Sequence, residues 1–141
     1  MRKSLFSLIA ILGLQFLSAQ TILGKWKTID DESGKEKSVV EIFKKSDGKI
    51  YAKIVQLLIK PENDKCVKCK DDRKDKPLVG LEIIRGLSKD DEEFSGGTIM
   101  DPKKGKSYDC TIYLDPSNKD ILNVKGSFLF ISRTQKWYRA K

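Results

Sequence analysis

The chain has 141 residues, with 28 Lys and Arg against 20 Asp and Glu, three cysteines and no histidine. The length suits a single domain. Without histidine, neither a Ser/His/Asp nor a Cys/His nucleophilic constellation can be assembled, and a tetrahedral zinc site is short of ligands.

The first segment, "MRKSLFSLIAILGLQFLSAQ", opens with Arg2 and Lys3 and continues into an apolar run from Leu5 to Leu17. That run is too short to cross a bilayer core of about 30 Å comfortably. A positive start, a short apolar run and a small residue at Ala19 predict a secretory signal peptide over residues 1–19. The remaining domain, 20–141, then carries no transmembrane segment and resides outside the cytoplasm, in the periplasm or beyond. An exported protein rarely meets nucleic acid, so a solvated lysine-rich surface accounts for the excess of positive charge, with some attraction to anionic polymers.

Past the leader, apolar residues recur with period two and are interrupted by turn residues about every ten positions, which predicts strands joined by hairpins. "GKWKTI" and "SVVEIF" flank the polar turn "DDESGKEK", and Asp47-Gly48 marks the next hairpin. "IYAKIVQLL" puts Ile50, Ala52 and Ile54 on one face. A cysteine-bearing loop of about twenty residues separates it from "VGLEIIRGL". "SKDDEE" then turns the chain into "FSGGTIM", where Gly96-Gly97 predicts a bulge or tight bend. "SYDCTIYL" carries Tyr108, Cys110, Ile112 and Leu114 on one face, and "ILNVKGSF" and "LFISRTQKWYR" complete the series. Eight such strands in hairpin order predict an all-β, antiparallel up-and-down barrel, which removes exposed sheet edges. A barrel of this size is filled by its own side chains or holds one small ligand.

"GKWKTIDDESGKEKSVVEI", "CVKC" followed by "KDKPLVG", "GGTIMDPKKGKSY" and "RTQKWYR" together resemble the bacterial domain of unknown function family 2147. The resemblance covers nearly all of 20–141. It implies small exported proteins with a lipocalin-like barrel and no established activity. Cys66 and Cys69 match the family's cysteine pair, Cys110 lies outside it, and Ser132 stands where the family often has Gly. "GKW" and "WYR" also resemble the closure of lipocalin-type barrels, in which a first-strand tryptophan packs beneath an arginine near the last strand. Trp26 and Arg139 are the candidates, with Arg133 as the second arginine; an indole face attracts a guanidinium by about 0.5–2 kcal/mol.

Three chemistries compete for Cys66 and Cys69. Zinc would need a carboxylate such as Asp71 to complete its ligands. A redox pair would need an electropositive helix start to lower a thiol pKa, and the lysines here lack the helix. A local disulfide in an oxidising compartment agrees best with the predicted export, pinning a charged loop without apolar anchors. Cys110 is read as a buried thiol packing as a small hydrophobe, with a bridge to Cys66 or Cys69 left open. The acidic clusters Asp30–Glu32 and Asp90–Glu93 do not have the spacing of a calcium loop and read as solvated turns.

No catalytic residue, metal or cofactor is implied. The sequence therefore supports non-catalytic binding of a small apolar or amphipathic ligand, or of an envelope component. The alternatives are a thiol/disulfide accessory or envelope enzyme using the CxxC loop, and a purely structural packed barrel. Along the last strand Ile131, Arg133, Gln135, Trp137 and Arg139 share one parity. If that face turns inward, its polar groups and indole are candidates for ligand binding; otherwise Arg139 simply covers Trp26.

Overall fold

Eight antiparallel strands close into a barrel in the computed structural model, which describes residues 21–141. The strands are β1 (Gly24–Ile29), β2 (Glu36–Lys44), β3 (Ile50–Leu57), β4 (Glu82–Asp90), β5 (Glu93–Asp101), β6 (Lys106–Asp115), β7 (Asn118–Phe128) and β8 (Ile131–Arg139). Each pairs with the next, and β1 closes on β8 through Trp26 opposite Arg139 and Lys27 opposite Tyr138. This is the architecture expected from the sequence. The predicted signal segment lies outside the described residues.

Alternation explains the packing. In β3 the buried Ile50, Ala52 and Ile54 alternate with more exposed neighbours, and in β6 Cys110 and Ile112 point into the same interior. Burying aliphatic side chains is worth roughly 1.5–3 kcal/mol each, and a slip of one residue in any strand would expose its whole inward set. Trp26, Val40, Ile42, Ile84, Leu87, Leu122 and Trp137 complete one contiguous core that occupies the barrel. Among the described residues, no buried side-chain nitrogen or oxygen lacks a hydrogen-bond partner.

The hairpin order sorts the connections between two ends. β1–β2, β3–β4, β5–β6 and β7–β8 turn at one end, together with the long cysteine loop; the other three turns and the strand-bearing termini lie opposite. That second end is plugged. Ile22 is buried there, Trp26 Nε1 donates to the Ile22 carbonyl oxygen at 2.9 Å, and the Arg139 guanidinium lies 4.3 Å from the Trp26 ring centre.

Three local expectations need correction. The fourth strand begins at Glu82 rather than Val79, because a turn closed by Leu81 N–H donating to the Leu78 carbonyl interrupts the chain there, while Gly80 and Leu81 each bond Ile54 on β3. The β4–β5 connection is a tight turn at Asp91-Glu92 rather than the six-residue "SKDDEE". Leu129 and Phe130 do not start the last strand. They form a two-residue turn closed by the Phe128–Ile131 pair. Leu129 sits at φ 57°, a left-handed conformation that costs an ordinary L-residue roughly 1–2 kcal/mol.

Candidate functional site

The cysteine loop is the most elaborate connection in the barrel and gathers the groups with chemical potential. Cys66 and Cys69 form a disulfide with Cα atoms 5.4 Å apart. Both are buried. The Cys69 Sγ lies 3.7 Å from the Met100 Sδ and the Cys66 Sγ 3.9 Å from the Pro102 carbonyl, so the bridge rests on the end of β5 and the β5–β6 turn. No helix follows the pair. Lysines surround the pair, but with both cysteines buried and no helix start beside them the sulfurs lack the access and the helix dipole that thiol exchange needs.

Apolar and ionic anchors hold the rest of the loop, contrary to the expectation of a loop without apolar anchors. Leu78 and Leu81 are buried in the core. Arg73 is 5% exposed, and its Nη1 donates to the Glu82 carbonyl at 2.8 Å while Nε and Nη2 embrace the Asp71 carboxylate. The Arg73 side chain, by hydrogen bonding, holds the Asp71 carboxyl well below the usual carboxylate range. Asp71 is therefore spoken for by a cation. The next residue, Asp72, takes a two-pronged bond from Arg85 on β4 at 2.8 and 2.9 Å. These charge-assisted, forked contacts are the strong kind. They fasten the loop to the barrel wall at positions that composition alone presents as a solvated charge run.

Gly105 makes the other close approach. It has φ +67°, and a Cβ there would run into the Lys68 carbonyl group, 2.6 Å from its carbon. The β5–β6 turn thus presses directly on the backbone of "CVKC". Two depressions flank this contact. The larger, about 610 Å³, opens to solvent and is lined by Val67, Lys68, Cys69, Lys70, Lys74 and Lys104. The smaller, about 270 Å³, lies between Lys70, Met100 and Gly105 and extends to Lys106 and Ser107. Lys74 is tied to the Val67 carbonyl at 2.6 Å. Lys68, Lys70, Lys104 and Lys106 have no ion-pair partner among the described residues.

The candidates of the last strand are divided between the two ends. Trp137 is buried and its Nε1 donates to Gln135 Oε1 at 2.6 Å. Gln135 Nε2 in turn donates to the Ile29 carbonyl and to Asp31 Oδ1, at 2.9 and 2.7 Å. Arg133 is largely exposed and pairs with Asp31 at 3.4 Å. Arg139, at the plugged end, is held over Trp26 by Asp120 and the Lys119 carbonyl. The shared parity turns toward the barrel only from Gln135 to Arg139, since Ile131 and Arg133 are exposed, and each polar group on it is matched by the protein itself. The structure does not bring these residues to the lysine groove. The groove was missed by sequence reading because Lys104 and the "CVKC" lysines are distant in the chain; the lysine density of "DPKKGK" and "CVKCK" was its one visible signal.

Cys110 is free and buried, and burial pushes its thiol up to about 12. Non-reducing peptide mapping is expected to find Cys66 joined to Cys69, and Cys110 alkylated only on unfolding. Replacing Cys66 and Cys69 by serine is expected to cost about 2 kcal/mol, the entropy of so short a loop, read as a lower denaturant midpoint. A Cys110 bridge, or rapid alkylation of the folded protein, would contradict this arrangement.

Comparison with known proteins places the barrel. The family described as "Uncharacterized protein conserved in bacteria (DUF2147)" matches residues 24–139. Among solved structures, the protein HP1028 of the human pathogen Helicobacter pylori, described as belonging to the lipocalin family, superposes with a TM-score of 0.71. The two share 20% sequence identity over 86% of this chain and 84% of that one. At that identity the likeness concerns the fold. No curated protein matches the chain.

Proposed function

The chain belongs to the DUF2147 family of bacterial proteins, and from that premise we propose that it is an exported, non-catalytic binding protein for a small amphipathic molecule with an anionic head group. The observation that carries the reading is the open groove of about 610 Å³ beside the disulfide, lined by Lys68, Lys70, Lys74 and Lys104 together with Val67 and Cys69. Its size falls within the range of small-molecule sites, which combine apolar walls with a few placed polar groups. The interior of the barrel is occupied by core side chains, and its buried polar groups are paired. A ligand is therefore assigned to the mouth of the barrel rather than to its centre. The charge and length of residues 1–19, and a disulfide suited to an oxidising compartment, support export.

The disulfide's burial speaks against the redox reading, and the lysine groove distinguishes a binder from a merely structural barrel. Calorimetric titration with lauric acid and dodecyl phosphate is expected to show saturable binding that weakens with salt, while a neutral dodecyl glycoside binds less. Exposed ion pairs are worth about 0.2–1 kcal/mol each, so a Lys68→Gln, Lys104→Gln double variant is expected to lose roughly 2- to 30-fold in affinity at low salt. Absence of binding by the wild type, or equal affinity of the double variant, would overturn the proposal.

A further inference from the structure

The described residues place most of their exposed large apolar side chains at one end of the barrel. At the β7–β8 turn Phe128, Leu129, Phe130 and Ile131 are 48, 80, 101 and 75% exposed. Leu58, Ile59, Val67 and Val79 of the cysteine loop are exposed at this same end, whereas Leu23 and Tyr138 alone are so exposed elsewhere among the described residues. Two independent features argue that the tip was not selected for folding. Its apolar groups touch water rather than core, and Leu129 occupies a positive-φ position where a two-residue hairpin turn favours glycine.

We propose that the β7–β8 tip is a membrane-docking element that inserts Leu129 and Phe130 into the interfacial region of an anionic lipid bilayer. Shape favours a bilayer over a protein partner. The tip is a convex two-residue turn, and the two depressions flanking the disulfide are rimmed with lysine, so a second copy presents there no matching apolar recess. Charge favours an anionic surface. Lys106 Nζ stands 5.1 Å from the Phe128 ring, and Lys104 and Lys68, without ion-pair partners among the described residues, lie at the same end. Of the acidic residues at this end, Glu32 is paired with Lys103 and Asp31 with Arg133, while Asp109, opposite Ser127, has no ion-pair partner among the described residues and is outnumbered by Lys68, Lys104 and Lys106. Apolar insertion combined with cations over anionic head groups is the usual composition of reversible membrane binding. The inference shares Lys68 and Lys104 with the groove reading, but its insertion step depends on the tip and not on a captured ligand.

The test is flotation of the chain as its host produces it, with phosphatidylcholine vesicles containing or lacking phosphatidylglycerol. The wild type is expected to float with the anionic vesicles. A Leu129→Gly, Phe130→Ser variant gives the turn residues it prefers, so it should fold at least as well. It is expected to bind these vesicles roughly ten-fold or more weakly, while its lauric acid titration is unchanged. A Phe130→Trp variant should show a blue-shifted emission component quenched by brominated acyl chains. The proposal is overturned if the wild type does not float, if the tip variant floats equally well, or if flotation is the same without phosphatidylglycerol. It is equally overturned if the tip variant instead converts a dimer to a monomer. Because lauric acid binding and flotation are separate readouts, failure of either proposal leaves the other standing or falling on its own result.

Discussion

Replacing Gly97 with alanine is expected to destabilise the barrel by at least about 3 kcal/mol, near the upper range of overpacking, and to lower the melting temperature by more than about 10 °C. Gly97 on β5 lies in the stretch between the Arg85–Thr98 and Ser88–Ser95 pairs, opposite Gly86 on β4. A Cβ on Gly97 would fall on the Arg85 carbonyl oxygen and within 2.7 Å of the Gly86 carbonyl carbon. Both obstacles are backbone, so no side chain can swing away. The neighbouring bulge, where the β5–β6 register shifts between Phe94 and Gly97, is built on the same bend. Gly126→Ala serves as the control. Its Cβ would meet the Tyr108 Cβ at 3.5 Å, ordinary van der Waals contact, and it is expected to change stability by no more than about 1 kcal/mol, with alanine's lower backbone entropy favouring a gain. Thermal unfolding followed by circular dichroism compares the two. Equal stability of both variants would show that β4 and β5 can separate without loss.

The second large effect is expected at the barrel seam. Trp26→Ala should cost about 3–5 kcal/mol, the range for truncating a buried aromatic. Trp26 is completely buried and supplies a hydrogen bond to the Ile22 carbonyl as well as the surface on which Arg139 lies. The β1–β8 ladder has only two residue pairs in register, one of them Trp26–Arg139, so its loss weakens the closure as well as the core. Arg139→Ala should cost far less, about 1 kcal/mol, because a stacked guanidinium contributes roughly 0.5–2 kcal/mol. In the Trp26→Ala background that smaller effect should largely vanish, since the ring it covers is gone. Denaturant titrations of the two single variants and the double variant measure this. Additive losses would mean that the indole and guanidinium do not act together.

Strand content, hairpin order and the shared face of strands such as β3 and β6 followed from the sequence by itself, because period-two alternation is a local property that one segment carries without its neighbours. The absence of histidine and of a helix, with the predicted export, favoured a bridge for Cys66 and Cys69 while leaving Cys110 as a possible partner, and the resemblance of "GKW" and "WYR" to lipocalin-type closure pointed to Trp26 and Arg139. What only the tertiary structure decided lies in contacts between distant segments. "FSGGTIM" announces a bend, but that Gly97 faces Gly86 depends on the register of β4 against β5. Arg73 reads as one more charge in a solvated loop until the fold buries it against Asp71 and the Glu82 carbonyl. Lys104 joins the "CVKC" lysines because the β5–β6 turn packs on the loop through Gly105. "LFI" after Phe128 reads as the start of a strand, since a continuous apolar run carries no turn signal. The Phe128–Ile131 pairing nevertheless sets the turn at Leu129-Phe130 and leaves those side chains in water. Closure of the barrel outweighs a local conformational cost of one or two kcal/mol, and no local pattern records where that cost is borne.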